Sequence, residues 1–127
     1  MLFEIETDKT LEQIDENIRA AAADHKFGVL GVHDLREAMA KKGVVFDNTC
    51  LVYEVCNPQQ AKKVLELNSG FSSLLPCRIS VYGSKGRIKL STILPSELAK
   101  LFGGPELEPI ALEVESAVKA IMQDTAE

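Results

Sequence analysis

The residues best placed to do chemistry are two cysteines at the ends of predicted elements. Cys56 stands directly before Asn57-Pro58, and Cys77 follows Leu74-Leu75-Pro76. Asn57 is a good helix N-cap and Pro58 suits the first helical position. Cys56 is therefore expected at a helix N-terminus, where partial positive charge and unpaired N–H groups favour a thiolate. If the strands carrying Cys56 and Cys77 are neighbours, both thiols lie near one end of a sheet. They could then form a redox pair, hold a soft metal such as Cu(I) or zinc, or bind a sulfur-containing ligand. The ligand-binding candidates are Cys56, Asn57, Pro58 and Cys77, and the metal candidates are Cys56 and Cys77. The competing explanation is packing: free cysteines often serve as small buried hydrophobes, and capping alone accounts for Asn57-Pro58.

Other polar residues point to chemistry less well. A structural zinc site usually contains a close Cys-x₂₋₄-Cys pair, and none is present, so His25 and His33 could join Cys56 and Cys77 only through tertiary folding. His25 reads as a helix-end residue, and Asp34 beside His33 reads as an N-cap. A Cys-His nucleophile would need His33 beside Cys56. Ser72, Ser73 and Ser84 fall in loops or turns without a G-x-S-x-G motif. Gly83-Ser84-Lys85-Gly86 lacks phosphate-loop spacing and precedes a strand. Glu106, Glu108, Glu113 and Glu115 read as a solvated charge run near a helix start. No motif names a catalytic residue or calls for a cofactor.

The elements that must position these groups follow from patterning. Residues 1–6 alternate as a strand, and Thr10 with Gln13 forms a capping box for a helix over 10–24. A glycine-containing strand follows at 27–32, with Gly28 and Gly31 marking a bulge or a close approach. Asp34 caps a short helix over 35–42, stopped by Gly43. Cys50–Cys56 is the clearest strand, with Leu51, Tyr53 and Val55 on one apolar face. A helix runs from Asn57 to about 68, with Gln60 able to reach back to the cap. Residues 69–73 read as a loop, 78–82 as a strand, 83–86 as a hairpin turn, and 87–94 as a strand with one solvated face. Pro95-Ser96-Glu97-Leu98 starts a short helix stopped by Gly103-Gly104-Pro105. Ile110, Val114, Ala117, Val118 and Ile121 mark a last amphipathic helix over 108–123.

Composition limits the function classes. The chain has 127 residues, with 46% apolar and 26% charged, which suits one globular domain. Its net charge is −5, and its basic residues are dispersed, so the basic stripe of a nucleic-acid binder is missing. No apolar run approaches bilayer length, which excludes membrane-spanning helices. The acidic start Met1-Leu2-Phe3-Glu4-Ile5-Glu6 does not suit a signal peptide, so a cytoplasmic location is expected. Three cysteines, Cys50, Cys56 and Cys77, argue against a disulfide scaffold.

The strand Phe27-Gly28-Val29-Leu30, the triplet Cys56-Asn57-Pro58, and Leu74-Leu75-Pro76-Cys77 followed by a strand and hairpin resemble the DUF302 family of small bacterial and archaeal domains. The resemblance covers roughly residues 1–101, and its distinctive feature is the pairing of Cys-Asn-Pro with Leu-Pro-Cys about twenty residues later. Cys50 and the acidic tail fall outside the family pattern. The resemblance implies an α+β fold with an antiparallel sheet and a homodimer, and the family has no established biochemical function.

The expected architecture is α+β: a mostly antiparallel sheet of about five strands, helices on one face and an extra C-terminal helix. One domain spans 1–127, with 104–127 as a helical extension. The expected function is binding of a small ligand, soft metal ion or sulfur species near Cys56 and Cys77. The alternatives are a structural or interaction homodimer and, third, a thiol-dependent redox enzyme.

Overall fold

The computed structural model describes residues 1–102 and 104–127. Five strands form one sheet in the order β1-β5-β4-β3-β2, every neighbouring pair antiparallel. They are β1 (Leu2–Thr7), β2 (Gly28–Asp34), β3 (Cys50–Cys56), β4 (Cys77–Ser84) and β5 (Arg87–Ile93). The helices are α1 (Leu11–Asp24), α2 (Leu35–Ala40), α3 (Pro58–Leu67), α4 (Pro95–Phe102) and α5 (Leu107–Ala126). The expected α+β class with helices on one sheet face holds. Among the described residues, no helix is long and apolar enough to cross a membrane.

Local sequence explains most boundaries. Thr10 and Gln13 close the capping box at α1 as expected, each side chain bonding the other's backbone N–H. Asp34 accepts from Glu37 N–H at 3.0 Å and starts α2. The glycine-containing strand carries its bulge between Val29 and Gly31, where the register with β3 shifts. Lys85 and Gly86, with φ of 52° and 79°, make the two-residue turn between β4 and β5.

Some boundaries differ from the sequence reading. β2 runs to Asp34 and β4 covers Cys77–Ser84, because ladder pairing extends both strands past their apolar cores. α2 stops at Ala40, two residues short of the expectation, and buries none of its residues. The segment read as a loop is a 3₁₀ helix, Ser69–Leu74, started by the Asn68 side chain accepting from Gly70 N–H at 2.8 Å. α5 runs to Ala126, past the expected end. Gly103, read as part of the stop after α4, lies outside the described residues.

The main core lies between the sheet and the pair α1 and α5. Ile14 and Ile18 of α1, Tyr53 and Val55 of β3, Ile79 and Val81 of β4, Leu90 of β5, and Val118, Ile121 and Met122 of α5 are fully buried. The C-terminal turn of α5 is tied down by side chains. Thr7 Oγ1 donates to Ala126 O at 2.9 Å, and Asn17 Nδ2 donates to Thr125 O at 3.2 Å, so carbonyls left open by the helix end are satisfied. The opposite sheet face carries charge pairs instead: Arg87 with Glu6 and Asp8, Lys89 with Glu4, and Glu54 with both His33 and Arg78.

Candidate functional site

Start and end of the middle helix set the local frame. Asn57 Oδ1 accepts from Gln59 N–H at 3.0 Å and from Gln60 N–H at 3.2 Å, and Pro58 occupies the first turn, as the sequence predicts. The Gln60 side chain does not reach back to the cap. Its Nε2 donates to Glu113 Oε2 at 2.9 Å and ties α3 to α5. An α5 carboxylate within reach outcompetes the cap backbone because a hydrogen bond to a charged acceptor is the stronger one.

The two thiols are brought to one end of the sheet. β3 and β4 are neighbours, and their register places Val55 opposite Cys77, so Cys56 lies one residue further along. Both cysteines line a small cavity of about 20 Å³ with Asn57, Gln60 and Val114. That volume suits about one water molecule. Gln60 Oε1 is buried and has no hydrogen-bond partner among the described residues.

The electrostatics run against the expected thiolate. Burial pushes the Cys56 thiol up. Cys77 is pushed up to about 11, first by burial and then by the neighbouring Cys56 thiol, with Arg78 pulling the other way. Both groups are thiols, not thiolates, near neutral pH. Among the described residues no group of three or more His, Cys, Asp or Glu side chains could hold a metal ion.

A larger cavity shares a wall with the small one. It has a volume of about 310 Å³, and Val64, Leu75, Cys77 and Val114 line both. It sits where β4 begins and β5 ends, walled by α4, the 3₁₀ helix and the N-terminal half of α5. Leu74, Leu98, Leu107 and Ile110 make it mostly apolar. Pro58 lines neither cavity. The wall is built from a second apolar cluster, Val64, Ala99, Leu107 and Ala111, separate from the main core. α4 is anchored there by Glu115 of α5, whose Oε1 accepts from Ser96 N–H at 3.1 Å and from Ser96 Oγ at 2.6 Å. Glu113 and Glu115, read as a solvated run, are thus links between helices. Helix N-termini attract carboxylates, and here the carboxylate comes from a different helix.

The remaining candidates lie elsewhere. His33 pairs with Val52 in the register while Cys56 pairs with Gly28, so the imidazole is not beside the thiol. Its Nε2 lies 2.9 Å from Glu54 Oε1 on the charged sheet face. His25 ends α1, as expected, 3.4 Å from Asp124. Cys50 is at the opposite end of β3 from Cys56. Ser84 closes the hairpin, and Ser72 and Ser73 are in the 3₁₀ helix.

Sequence reasoning missed Arg78, Ser80 and Ser91, all of which line the larger cavity. Ser80 and Ser91 are cross-strand partners, and Ser91 is buried although its strand face reads as solvated. The available signal was size: a short hydroxyl among long charged side chains leaves space beside it.

Comparisons with known proteins agree with this architecture. A family profile described as "Domain of unknown function DUF302" matches residues 3–125. The match takes in α5, which the sequence resemblance left outside. The crystal structure of an uncharacterized conserved DUF302 protein from Bacillus stearothermophilus is similar, with 28% identity and a TM-score of 0.92, over 99% of this chain and 98% of that one. No curated protein is similar to the chain.

Proposed function

The chain belongs to the DUF302 family, and we propose that it binds a small, largely apolar molecule in the cavity beside Cys77. The observation that carries this reading is a void of about 310 Å³ with apolar walls and a few polar groups. Pockets for small molecules have this character and begin at about this size. The cavity opens to solvent and exposes mostly hydrocarbon to water, a cost that an apolar occupant would relieve. The raised Cys56 and Cys77 thiols support a packing or contact role over soft-metal or redox chemistry, which needs thiolate.

The test is calorimetric titration with octanol, alongside the variants Ala111→Trp and Leu98→Trp, which fill the void from α5 and α4. Saturable binding by the native chain, lost in both folded variants, is the expected result. Equal binding in a variant whose void is filled would overturn the proposal.

A second reading, the homodimer, has its own observation. Leu30 on edge strand β2 and Val44, Val45 and Phe46 after α2 are exposed, Val45 at 84%. An unpaired edge strand with apolar neighbours can add a second copy. Sedimentation of the native chain and of Leu30→Lys tests it; a monomer in both would remove this reading.

A further inference from the structure

We infer that the occupant of the larger cavity is an apolar monocarboxylate, its chain held by the helices and its carboxylate by Arg78. This rests on the cavity-binding reading above and adds the chemical class. Among the described residues that line the cavity, Arg78 is the one charged side chain, and no acidic residue joins it. The site therefore favours an anion, and a single guanidinium suits a single carboxylate through two parallel N–H···O bonds.

Arg78 is free to take that role. Its side chain is 57% exposed, and its contact with Glu54 is long at 3.9 Å. The other Glu54 oxygen is occupied by His33 at 2.9 Å, so the carboxylate is shared between two partners. An incoming carboxylate competes with a loose contact, not a closed ion pair.

Alternation along β4 places Arg78 and Ser80 on the same side of the strand, and Ser80 pairs with Ser91 on β5. Neither serine hydroxyl makes a hydrogen bond among the described residues, whereas Thr92 Oγ1, in the same wall, already donates to Arg78 O at 2.8 Å. One cation and two unengaged hydroxyls thus make a polar strip in an otherwise apolar lining. The overall charge of −5 disfavours polyanions such as phosphorylated ligands. A cavity of about 310 Å³ lies at the lower end of the range for small-molecule sites. A medium-chain fatty acid suits a site of that size.

Octanoate, octanol and octylammonium, compared by calorimetric titration of the native chain, separate the two levels of the proposal. Octanoate is expected to bind about tenfold tighter than octanol, the range for a hydrogen bond to a charged group, and octylammonium more weakly than either. In Arg78→Gln the preference for octanoate over octanol should vanish, and Arg78→Lys should keep part of it. Equal affinity for octanoate and octanol in the native chain would overturn the carboxylate assignment and leave the cavity reading standing. Binding of none of the three would overturn both.

Discussion

The two halves of α5 do different work. Its C-terminal half puts Val118, Ile121 and Met122 against the sheet and α1, where each is fully buried. Its N-terminal half puts Leu107, Ile110 and Ala111 against α3, α4 and the 3₁₀ helix, around a cavity. One region has a continuous sheet face to fill, so side chains interdigitate and seal. The other lies where the strands end, and small residues such as Ala99 and Ala111 leave the gap between helices open. Tight packing goes with the continuous sheet face, and the space for a ligand opens between the β4 and β5 strands and the helices.

Removing α5 should break this comparison most thoroughly. A chain ending at Phe102 loses part of both apolar clusters and is expected to lose cooperative unfolding, read by circular dichroism on heating. A folded truncation would mean that α5 is an appendage. The graded version compares single truncations within the helix. Ile121→Ala should destabilise by about 3–5 kcal/mol, as for a sealed core site. Leu107→Ala, beside an existing cavity and so with fewer packing contacts to lose, should cost about 1–2 kcal/mol. Equal costs from urea unfolding would show the two regions to be packed alike.

Alkaline pH sharpens the contrast at the shared wall. The Cys77 thiol is raised from 9.0 to about 11 in the folded chain, so the unfolded chain ionises first as pH rises. This contribution to stability is complete below pH 9 and lost as pH approaches 11, about 3 kcal/mol in size. Cys77→Val should flatten the stability profile between those values; an unchanged profile would place the alkaline loss on other groups.

The main core also has a polar latch. Tyr53 Oη donates to Asp15 Oδ1 at 2.7 Å; the Arg19 hydrogen bond first, and this one second, hold the Asp15 carboxyl below its usual range. Tyr53→Phe should cost about 1 kcal/mol, reduced because Asp15 is partly solvated. The loss should be seen above the ordinary carboxylate range and fade as acid protonates Asp15 in the folded state. A cost that does not change on acidification would separate the latch from Asp15 ionisation. The smallest effect is expected at Glu115→Gln, which weakens the hydrogen bonds to Ser96. About 0.5–1 kcal/mol should be lost by thermal unfolding, since a neutral acceptor can retain part of the cap.

Elements with local signatures were legible. The Thr10–Gln13 box, the Asn57 cap with Pro58, the Lys85-Gly86 turn and the alternation of Leu51, Tyr53 and Val55 each depend on neighbours within a few residues. The candidate site was legible only in part. That Cys56 and Cys77 could meet required β3 and β4 to be adjacent, which periodicity cannot tell. The direction of the thiol shift was misread because the helix end is visible in sequence and the hydrocarbon around it is not. Glu113 and Glu115 looked solvated because their partners, Gln60 and Ser96, lie on other helices.

From the order of its residues alone, this chain settles its strands, helix starts, turns and apolar faces, since backbone geometry and capping act over one or two turns. Tertiary structure decided which strand ends adjoin, how deeply the thiols are buried, and that Arg78, Ser80 and Ser91 border a void. Packing density and desolvation are sums over atoms distant in sequence, and they take values only once the chain is folded.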